Sequence, residues 1–491
     1  MTAILGAGIS GLSAAYYALE NPKLGPLVVL EASNRVGGWI RSIKQPDGTI
    51  FEKGPRVIRA NSHNILDLVE DLELSSKVVP IKGDHPAAIN RYIYSENVLH
   101  CMPNTLKGIL TKNTLLNRSL SSALWNDIKT SKVLKDDESI YSFIERRLGK
   151  DVSDKMVAPV LCGICGGDIH NLSAKSFLPR MFEAEQKYGS IFIGLMQQKL
   201  SGMIHKEKLH SSKGSESESK TVNNTQATIN SQSGTSHLAQ RAKTEGWRIW
   251  GLQGGFEQLP QALVENVTKR GAKIRTNHNC EQLIFSKNSI ELVVNGNVEK
   301  YSHVISSLPA RSLANLVQEQ HPGLSKELRS VPAVTIAVVN LQFPPNVLPV
   351  HAFGVLIPPK EGIPILGAIF DSCILPQNSK MTVLTVMMGG AWFDKYFGKC
   401  STEEHMKDVA TKYVNEILHI NEGPTACNVT ILQDCIPQYV IGHAQRLTRI
   451  HDYISAHKIP LGLCGSSYHG VGVSDVILSA KEAVSSINQS I

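Results

Sequence analysis

The sequence lacks the features that mark several large classes of protein. No apolar run approaches the ~18 residues that cross a bilayer, so we expect any membrane contact to be monotopic. Aromatic residues make up only 6% of the 491 residues, and 50 Lys and Arg against 43 Asp and Glu give a net charge of +7. This surplus is small and dispersed, which argues against a nucleic-acid partner and fits an anionic substrate or membrane surface.

Cysteine is present without a secretory framework. The nine cysteines are an odd number and no signal peptide precedes them, so we expect reduced thiols. Cys162 and Cys165 have CxxC spacing, but no second pair or nearby histidines follow to complete a metal site. We interpret both as buried or pocket-lining and predict no metal. Because the first strand starts almost at residue 1, we also expect no cleavable presequence.

Two stretches have unusual composition. Residues 201–246 are rich in Ser, Lys, Glu, Asn and Thr, which predicts a disordered surface insertion. Residues 104–135 hold six basic residues and one acid, with Leu116, Leu120, Leu124 and Ile128 spaced four apart. That pattern favours either a helix on an anionic membrane or a helix packed on its own domain with a solvated basic face.

The N-terminus carries a nucleotide-binding pattern. A short apolar strand precedes a GxGxxG turn formed by Gly6, Gly8 and Gly11, a helical pattern follows, and a second strand ends at Glu31. The glycines permit a tight turn, close approach of a pyrophosphate and close helix–strand packing, and Glu31 can bind ribose hydroxyls. We predict a dinucleotide site in a doubly wound α/β domain.

Later glycines favour FAD over NAD. Arg35-Val36-Gly37-Gly38 follows Glu31 directly, which lets the chain pass close to an extended cofactor, and Arg35 or Arg41 can face its phosphates. Near the C-terminus, the glycine turn of residues 465–475 opens a helix whose N-terminus can face the far end of a flavin.

The motifs together resemble a known family. GAGISGL, EASNRVGGWIRS and FEKGPRVIR resemble the flavin amine oxidase superfamily, and GDHPAAINR, DCIPQY and GSSYHGVGVSD narrow the resemblance to the mitochondrial-type protoporphyrinogen oxidases. The similarity covers nearly the whole chain except residues 201–246. Two residues depart from the family: Cys165 replaces an aromatic residue, and Cys162 stands where animal relatives have arginine.

The resemblance implies site residues, matched position by position. The FAD contacts that it implies are Gly6, Ala7, Gly8, Ile9, Ser10, Gly11, Glu31, Ala32, Trp39, Gly54, Pro55, Arg56, Val57, Asn279, Cys280, Val471, Gly472 and Val473. Arg56 and Arg91 match arginines associated with substrate propionates, and either could instead be a structural partner for a carboxylate or a loop carbonyl. Gly163, Phe353, Leu356 and Met387 match the wall of the tetrapyrrole pocket.

The resemblance also implies an architecture of three parts: a discontinuous doubly wound FAD-binding domain, an α+β substrate domain and a mostly helical membrane-associated lobe. We place the FAD-binding domain at residues 1–85, 247–308 and 441–491, the helical membrane-binding and substrate lobe at 86–200, and the substrate sheet at 309–440. Relatives suggest a homodimer attached peripherally to the mitochondrial inner membrane.

The reaction implied is the oxygen-dependent, six-electron oxidation of protoporphyrinogen IX to protoporphyrin IX, with release of hydrogen peroxide. The flavin performs the redox step, so we assign no side chain as a catalytic acid or base. An amine oxidase on the same scaffold is a rival, although the two arginines would repel a cationic substrate. A non-catalytic FAD-binding protein that carries tetrapyrroles is another. Coproporphyrinogen is an alternative substrate, because the two substrates differ in their number of carboxylates and two arginines do not distinguish between those numbers.

Overall fold

The computed structural model describes residues 1–103, 114–116, 119–211, 236–286, 289–375, 380–398 and 402–490. Its first unit is a parallel sheet whose strands come from distant parts of the chain. In spatial order the five strands are Lys273–Arg275, Leu27–Leu30, Thr2–Leu5, His303–Ser306 and Leu461–Leu463. All the neighbours are parallel, which requires crossover connections and buries both faces of the sheet.

Each face of the parallel sheet has its own apolar core. Ile4 belongs to a core with the helices Ile9–Ala18 and Gln258–Lys269, whereas Ala3 and Leu5 belong to a core on the other face. The alternation follows from the two-residue period of a strand. The remaining helices of the two layers are His63–Asp71, His237–Thr244, Ala310–Val317, Pro322–Arg329, His443–Ala456 and Val473–Ser490. An antiparallel sheet of Cys280–Phe285, Ile290–Val294 and Asn297–Tyr301 completes the second layer.

A second large sheet stands beside this unit. Its seven strands, in spatial order, are Ala426–Pro437, Ala333–Phe343, Thr382–Gly390, Ile365–Ile369, Gly354–Leu356, Tyr92–Ser95 and Val98–Cys101. The last two form a hairpin from the stretch 86–200, so that stretch contributes strands as well as helices. Helices Asp371–Ile374, Phe393–Phe397 and Glu403–Leu418 pack near this sheet. A core of its own, separate from the two cores of the parallel sheet, covers one face.

Smaller elements join the two units. A three-stranded sheet contains Ile58–Arg59, Trp247–Leu252 and Val78–Lys82, and a two-stranded sheet contains Ser42–Lys44 and Ile50–Glu52. Helix Pro86–Ile89 and single turns at Pro22–Leu24, Ser75–Lys77 and Pro359–Glu361 complete the connections. The predicted α/β class is confirmed.

A helical lobe forms the third part. Its helices are Leu120–Lys129, Ile140–Leu148, Lys150–Val152, Ala158–Cys165, Ala174–Phe177, Pro179–Tyr188 and Ile191–Ser211, with a π-helical turn at Ser153–Val157. No described helix of the chain has both the length and the apolar character needed to cross a membrane.

Charged side chains lie inside this lobe. Asp127 and Arg147 are both fully buried, and the Asp127 carboxylate accepts from Arg147 Nε at 2.6 Å. The same carboxylate accepts from Ser190 Oγ at 2.6 Å and from the backbone N–H of Phe192 at 2.9 Å, so it caps helix Ile191–Ser211. Arg147 also donates to the carbonyl of Gly189 at 2.7 Å. One ion pair therefore joins three helices of the lobe.

The structure corrects two expectations from composition. The predicted insertion is too long at both ends, because helix Ile191–Ser211 includes its first residues and residues 237–244 form a helix with Leu238, Ala239 and Ala242 buried. These three apolar residues are too few to change the polar composition of the segment, so composition alone does not reveal the helix. Residues 212–235, the centre of the predicted insertion, lie outside the described residues, as do 104–113 and 117–118 of the basic stretch.

The prediction that Leu116, Leu120, Leu124 and Ile128 form one apolar face of a helix is also wrong. The helix begins only at Leu120, and Leu116 before it is buried in the core of the lobe. Ala123 and Asp127 form the buried face, whereas Ile128 is exposed. Asp127 faces inward because it is paired with Arg147, and the spacing of apolar residues alone does not predict such a buried acid.

We expect Asp127→Ala to lower the free energy of unfolding by about 3–5 kcal/mol, because it leaves the Arg147 charge buried and unpaired. Urea unfolding followed by circular dichroism would measure the loss. The matched control is Glu416→Ala, which removes a carboxylate from an exposed pair with Lys412 and should cost less than about 1 kcal/mol. Equal losses in the two variants would contradict the stabilising role of the buried pair.

Candidate active site

The turn between strand Thr2–Leu5 and helix Ile9–Ala18 permits a close approach to the backbone. Gly6 has a φ of +92°, in the left-handed region that favours glycine. A Cβ on Gly11 would lie 1.9 Å from the Gly6 carbonyl oxygen, so only glycine fits there. No side chain caps the helix and its first turn has no acidic residue, which leaves N–H groups for a phosphate. This turn brings together the predicted contacts Gly6, Ala7, Gly8, Ile9, Ser10 and Gly11.

Glu31 lies beside this turn at the end of the second strand. Its carboxylate accepts from the backbone N–H of Ala7 at 2.8 Å and from Ser33 Oγ at 2.7 Å. The backbone N–H of His278 donates to the Glu31 carbonyl at 2.8 Å, which brings the predicted contacts Asn279 and Cys280 to the same end of the sheet. Ala32, next to Glu31, is exposed.

A second pair of glycines packs on the first turn. The Gly37 N–H donates to the Ala7 carbonyl at 2.8 Å, and a Cβ on Gly38 would lie 3.1 Å from the Gly8 Cα. Arg35 donates to the carbonyls of Val36 and Gly38, so it closes its own turn. These contacts hold the Arg35 side chain against its own turn, and its role towards a phosphate stays a prediction.

Two further segments reach the same region. Trp39 is 43% exposed, and a Cβ on Gly54 would lie 2.2 Å from its carbonyl oxygen, so residues 54–57 run directly against residues 37–40. At the other end of the chain, Ser10 Oγ donates to the carbonyl of Val476 at 3.4 Å. That contact places helix Val473–Ser490 beside helix Ile9–Ala18.

The C-terminal turn contains the predicted contacts Val471, Gly472 and Val473. The Gly472 N–H donates to Asp475 at 3.1 Å, and Asp475 lies in the first turn of the helix that follows. A carboxylate of the chain itself therefore occupies part of the helix N-terminus that the sequence offered to a flavin.

These residues fit FAD. The glycine turn leaves room for a pyrophosphate at an uncapped helix N-terminus, and Glu31 lies where ribose hydroxyls would bind. The segments 37–40, 54–57 and 471–473 are the ones that would hold the rest of the cofactor.

Two of the predicted substrate-wall residues, Leu356 and Met387, lie together on the seven-stranded sheet, and a third, Gly163, packs against them. Leu356 is opposite Gly367, and Gly367 is opposite Met387 on the next strand, so the three share one face. A Cβ on Gly163 would lie 2.5 Å from Leu356 Cδ2, which places helix Ala158–Cys165 against that face. Leu356 and Met387 are only partly buried, so they present an apolar surface.

Phe353 lies at the edge of this wall, towards the cofactor residues. It packs in a small cluster with Val57, Ile369 and Leu375. Its backbone N–H donates to the carbonyl of Asn90 at 3.1 Å. The cluster therefore connects the predicted substrate wall with the predicted FAD contact Val57.

Arg56 is only 3% exposed and points into the protein. Its guanidinium donates to Asp371 at 2.5 Å and to the Gly54 carbonyl at 3.2 Å, and Asp371 also accepts from Thr385 Oγ1 at 2.7 Å. Arg56 is thus a structural partner for a carboxylate, which is the alternative that the sequence left open. Its role towards a propionate stays a prediction. Sequence reasoning missed Asp371, since no local pattern links residues 315 positions apart.

Arg91, by contrast, is exposed. Its guanidinium carbon lies 6.0 Å from the centroid of the Phe353 ring, within the range of a cation–π contact. Partial burial, and to a smaller extent the charge of Arg59, lower the pKa of Arg91. A cation thus lies at the rim of the apolar wall.

Cys162 and Cys165 are buried, at 1% and 0% exposure. The Cys165 thiol donates to the Leu161 carbonyl at 3.1 Å, and burial raises its pKa to about 12. Burial also raises the pKa of Cys162. Both therefore remain protonated thiols near the wall. Among the described side chains, no three His, Cys, Asp or Glu residues form a group that could hold a metal ion.

Comparison with known proteins gives a consistent picture. The family described as flavin-containing amine oxidoreductase matches residues 9–488. Protoporphyrinogen oxidase from Bos taurus is 35% identical over 99% of this chain and 97% of its own length, and the Homo sapiens protein is 34% identical over the same shares. A solved structure from Exiguobacterium sp. 255-15, provisionally assigned as a protoporphyrinogen oxidase, has a TM-score of 0.78 at 22% identity. The match covers 99% of this chain and 98% of that one, and it shows the shared fold.

Glu52 is an ionisable group near the site that the sequence analysis did not single out. It is 4% exposed, and its carboxyl accepts from the backbone N–H of Phe256 at 2.7 Å and from Ser42 Oγ at 2.8 Å. Burial raises its pKa to about 7 in spite of these hydrogen bonds.

We expect Glu52 to make stability depend on pH. Because its pKa is higher in the folded chain than the usual 4.5, its contribution is fully present below pH 4.5 and is lost as pH rises through about 7. Between pH 5 and 8.5 the loss is about 2–3 kcal/mol. Urea unfolding of the wild type and of Glu52→Gln at both pH values would measure it. A pH dependence equally steep in the variant would show that Glu52 is not the source.

Proposed function

The chain belongs to the protoporphyrinogen oxidases of the flavin-containing amine oxidoreductase family, and we propose that it oxidises protoporphyrinogen IX to protoporphyrin IX in haem biosynthesis. It is an FAD-dependent oxidoreductase. The observation that carries the substrate assignment is the similarity to the mammalian enzymes over nearly the full length of both chains.

The geometry of the wall suits such a substrate. A porphyrinogen is a large apolar macrocycle with propionate groups on one side, and a site for it should be apolar with cations at the rim. Leu356 and Met387 supply partly exposed apolar surface, and Arg91 supplies the cation beside Phe353. A primary amine substrate would instead meet a positive charge at this rim, which disfavours an amine oxidase.

FAD, when bound, supplies the acceptor for each pair of electrons that leaves the macrocycle. The chain itself binds and orients: the wall holds the macrocycle, Phe353 and Val57 connect it with the cofactor segment, and the apolar surface excludes water. Among the described wall residues Gly163, Phe353, Leu356 and Met387, none can exchange a proton. Six electrons leave in three pairs, and molecular oxygen takes them up as three molecules of hydrogen peroxide.

The helical lobe is the part that we propose to bind a membrane surface, the mitochondrial inner membrane. Phe192, Met196 and Leu200 are 39%, 50% and 54% exposed on successive turns of helix Ile191–Ser211. Trp125 is 58% exposed on the neighbouring helix, with Lys129 Nζ 4.8 Å from its ring centroid. An apolar stripe flanked by lysine suits the interface of an anionic bilayer.

We expect purified, yellow protein to oxidise protoporphyrinogen IX aerobically. Porphyrin fluorescence and peroxide would be followed together, with coproporphyrinogen III as the comparison substrate. The expected result is faster formation of protoporphyrin, with three peroxides for each porphyrin. Turnover of coproporphyrinogen alone would reassign the substrate. No turnover of either compound at full FAD occupancy would refute the proposed reaction.

We expect the double substitution Phe192→Asp and Met196→Asp to release the protein from vesicles that contain anionic phospholipid. Burial of each side chain is worth about 1.5–3 kcal/mol, so the bound fraction in a sedimentation assay should fall more than tenfold. Val298→Asp is the control, since Val298 is 59% exposed on the antiparallel sheet of the FAD-binding unit. An unchanged bound fraction in the double variant would place the membrane surface elsewhere.

A further inference from the structure

A second arginine, Arg59, lies near enough to Arg91 for its charge to act on the Arg91 guanidinium. Arg59 ends strand Ile58–Arg59 and is directly opposite Ile249 on the neighbouring antiparallel strand. Directly opposite residues of an antiparallel pair share one face of the sheet. Ile249 is buried in the same small cluster that contains Phe353, so Arg59 stands on the face turned towards the edge of the substrate wall.

Alternation along the chain gives the same placement. Val57 immediately precedes strand Ile58–Arg59, and Ile58, between Val57 and Arg59, packs instead in the core of the parallel sheet. Val57 packs in the cluster with Phe353. Arg91 is also held there, because its guanidinium lies over the Phe353 ring and the carbonyl of the preceding residue, Asn90, accepts from the Phe353 N–H.

The two guanidinium groups repel each other, and no carboxylate of the described residues is paired with either of them. The charge of Arg59 contributes to the lowered pKa of Arg91, after the larger effect of burial. Within the described residues neither Arg59 nor Arg91 forms an ion pair, although Arg56 is paired with Asp371 at 2.5 Å. Two like charges side by side destabilise a fold unless an anion binds between them, and such an arrangement is typical of an anion-binding site.

We propose that Arg59 and Arg91 together bind the propionate carboxylates of the substrate, an assignment that rests on the proposed oxidation of a porphyrinogen. Arg59 then takes the place in this pair that the sequence gave to Arg56. Arg56, neutralised by Asp371, instead holds residues 54–57 in position. The macrocycle lies on Leu356 and Met387, and its carboxylates extend past Phe353 to the two cations.

The test uses Arg59→Gln and Arg59→Lys in the holoenzyme. KM and kcat would be measured for protoporphyrinogen IX and for its dimethyl ester, which keeps the macrocycle and lacks the negative charges. Equilibrium binding of protoporphyrin IX, followed by quenching of its fluorescence, gives a readout independent of turnover. The control is Arg248→Gln, because Arg248 is also exposed but lies on the opposite face of the same three-stranded sheet.

In Arg59→Gln, KM for the diacid and the dissociation constant of protoporphyrin should each rise about tenfold to a hundredfold, which is the effect of one charge-assisted hydrogen bond. KM for the dimethyl ester should not change, Arg59→Lys should recover part of the affinity, and Arg248→Gln should behave as wild type. An unchanged KM and dissociation constant in Arg59→Gln, or an equal loss for diacid and ester, overturns the assignment.

The same measurements separate this assignment from the proposed function. If the wild type oxidises protoporphyrinogen IX and Arg59→Gln matches it, the reaction stands and only the role of Arg59 is refuted. If the wild type neither oxidises the porphyrinogen nor binds protoporphyrin, both proposals fall. If it binds protoporphyrin through Arg59 without oxidising the porphyrinogen, the role of Arg59 in binding carboxylates stands and the reaction is refuted.

Discussion

The buried ion pair between Arg56 and Asp371 is the contact on which the rest of the site depends. Arg56 belongs to the segment that runs against the predicted FAD contacts, whereas Asp371 follows a strand of the seven-stranded sheet. Thr385 Oγ1 donates to Asp371, and Asn340 Nδ2 donates both to Thr385 Oγ1 at 2.8 Å and to the Glu52 carbonyl at 3.0 Å. These hydrogen bonds fix the distance between the cofactor segment and the substrate wall. Separation of the two units would leave a buried charge without its partner, which costs several kcal/mol of free energy, on the order of 3–5.

Local motifs made one half of this arrangement predictable. The glycines at positions 6, 8 and 11 and the carboxylate of Glu31 lie within one crossover unit, so their spacing alone fixes how they meet. The other half depends on pairings between distant residues. Nothing in the sequence around Arg56 indicates that Asp371 will neutralise it, and Arg59 looks like an ordinary strand residue until Ile249 is placed opposite it. Motifs identify residue types near a site, but the fold decides which of several arginines keeps its charge free.

The helical lobe has its polarity partly reversed relative to an ordinary soluble unit. Asp127 and Arg147 are fully buried, whereas Trp125 is 58% exposed and Met196 is 50% exposed. A buried charge pair is weak evidence for stability, yet it holds a helix start in a defined place. Because Asp127 caps the helix that carries Met196, the internal pair also sets the direction of the outer apolar stripe. The sequence predicted an amphipathic helix within residues 104–135. In helix Leu120–Lys129 the ion pair of Asp127 with Arg147 decides which residues face inward and which face outward.

The order of the strands in the parallel sheet has a consequence for synthesis on the ribosome. Helix Ile9–Ala18 leaves the ribosome long before the segment that it contacts, because Ser10 on that helix meets Val476, 466 residues later. Until that late segment emerges, one flank of the glycine turn has no partner, and its apolar residues are open to misassociation. The glycine turn therefore gains this neighbour only after Val476 has been synthesised, so its binding surface is completed late in translation relative to its own strand and helix.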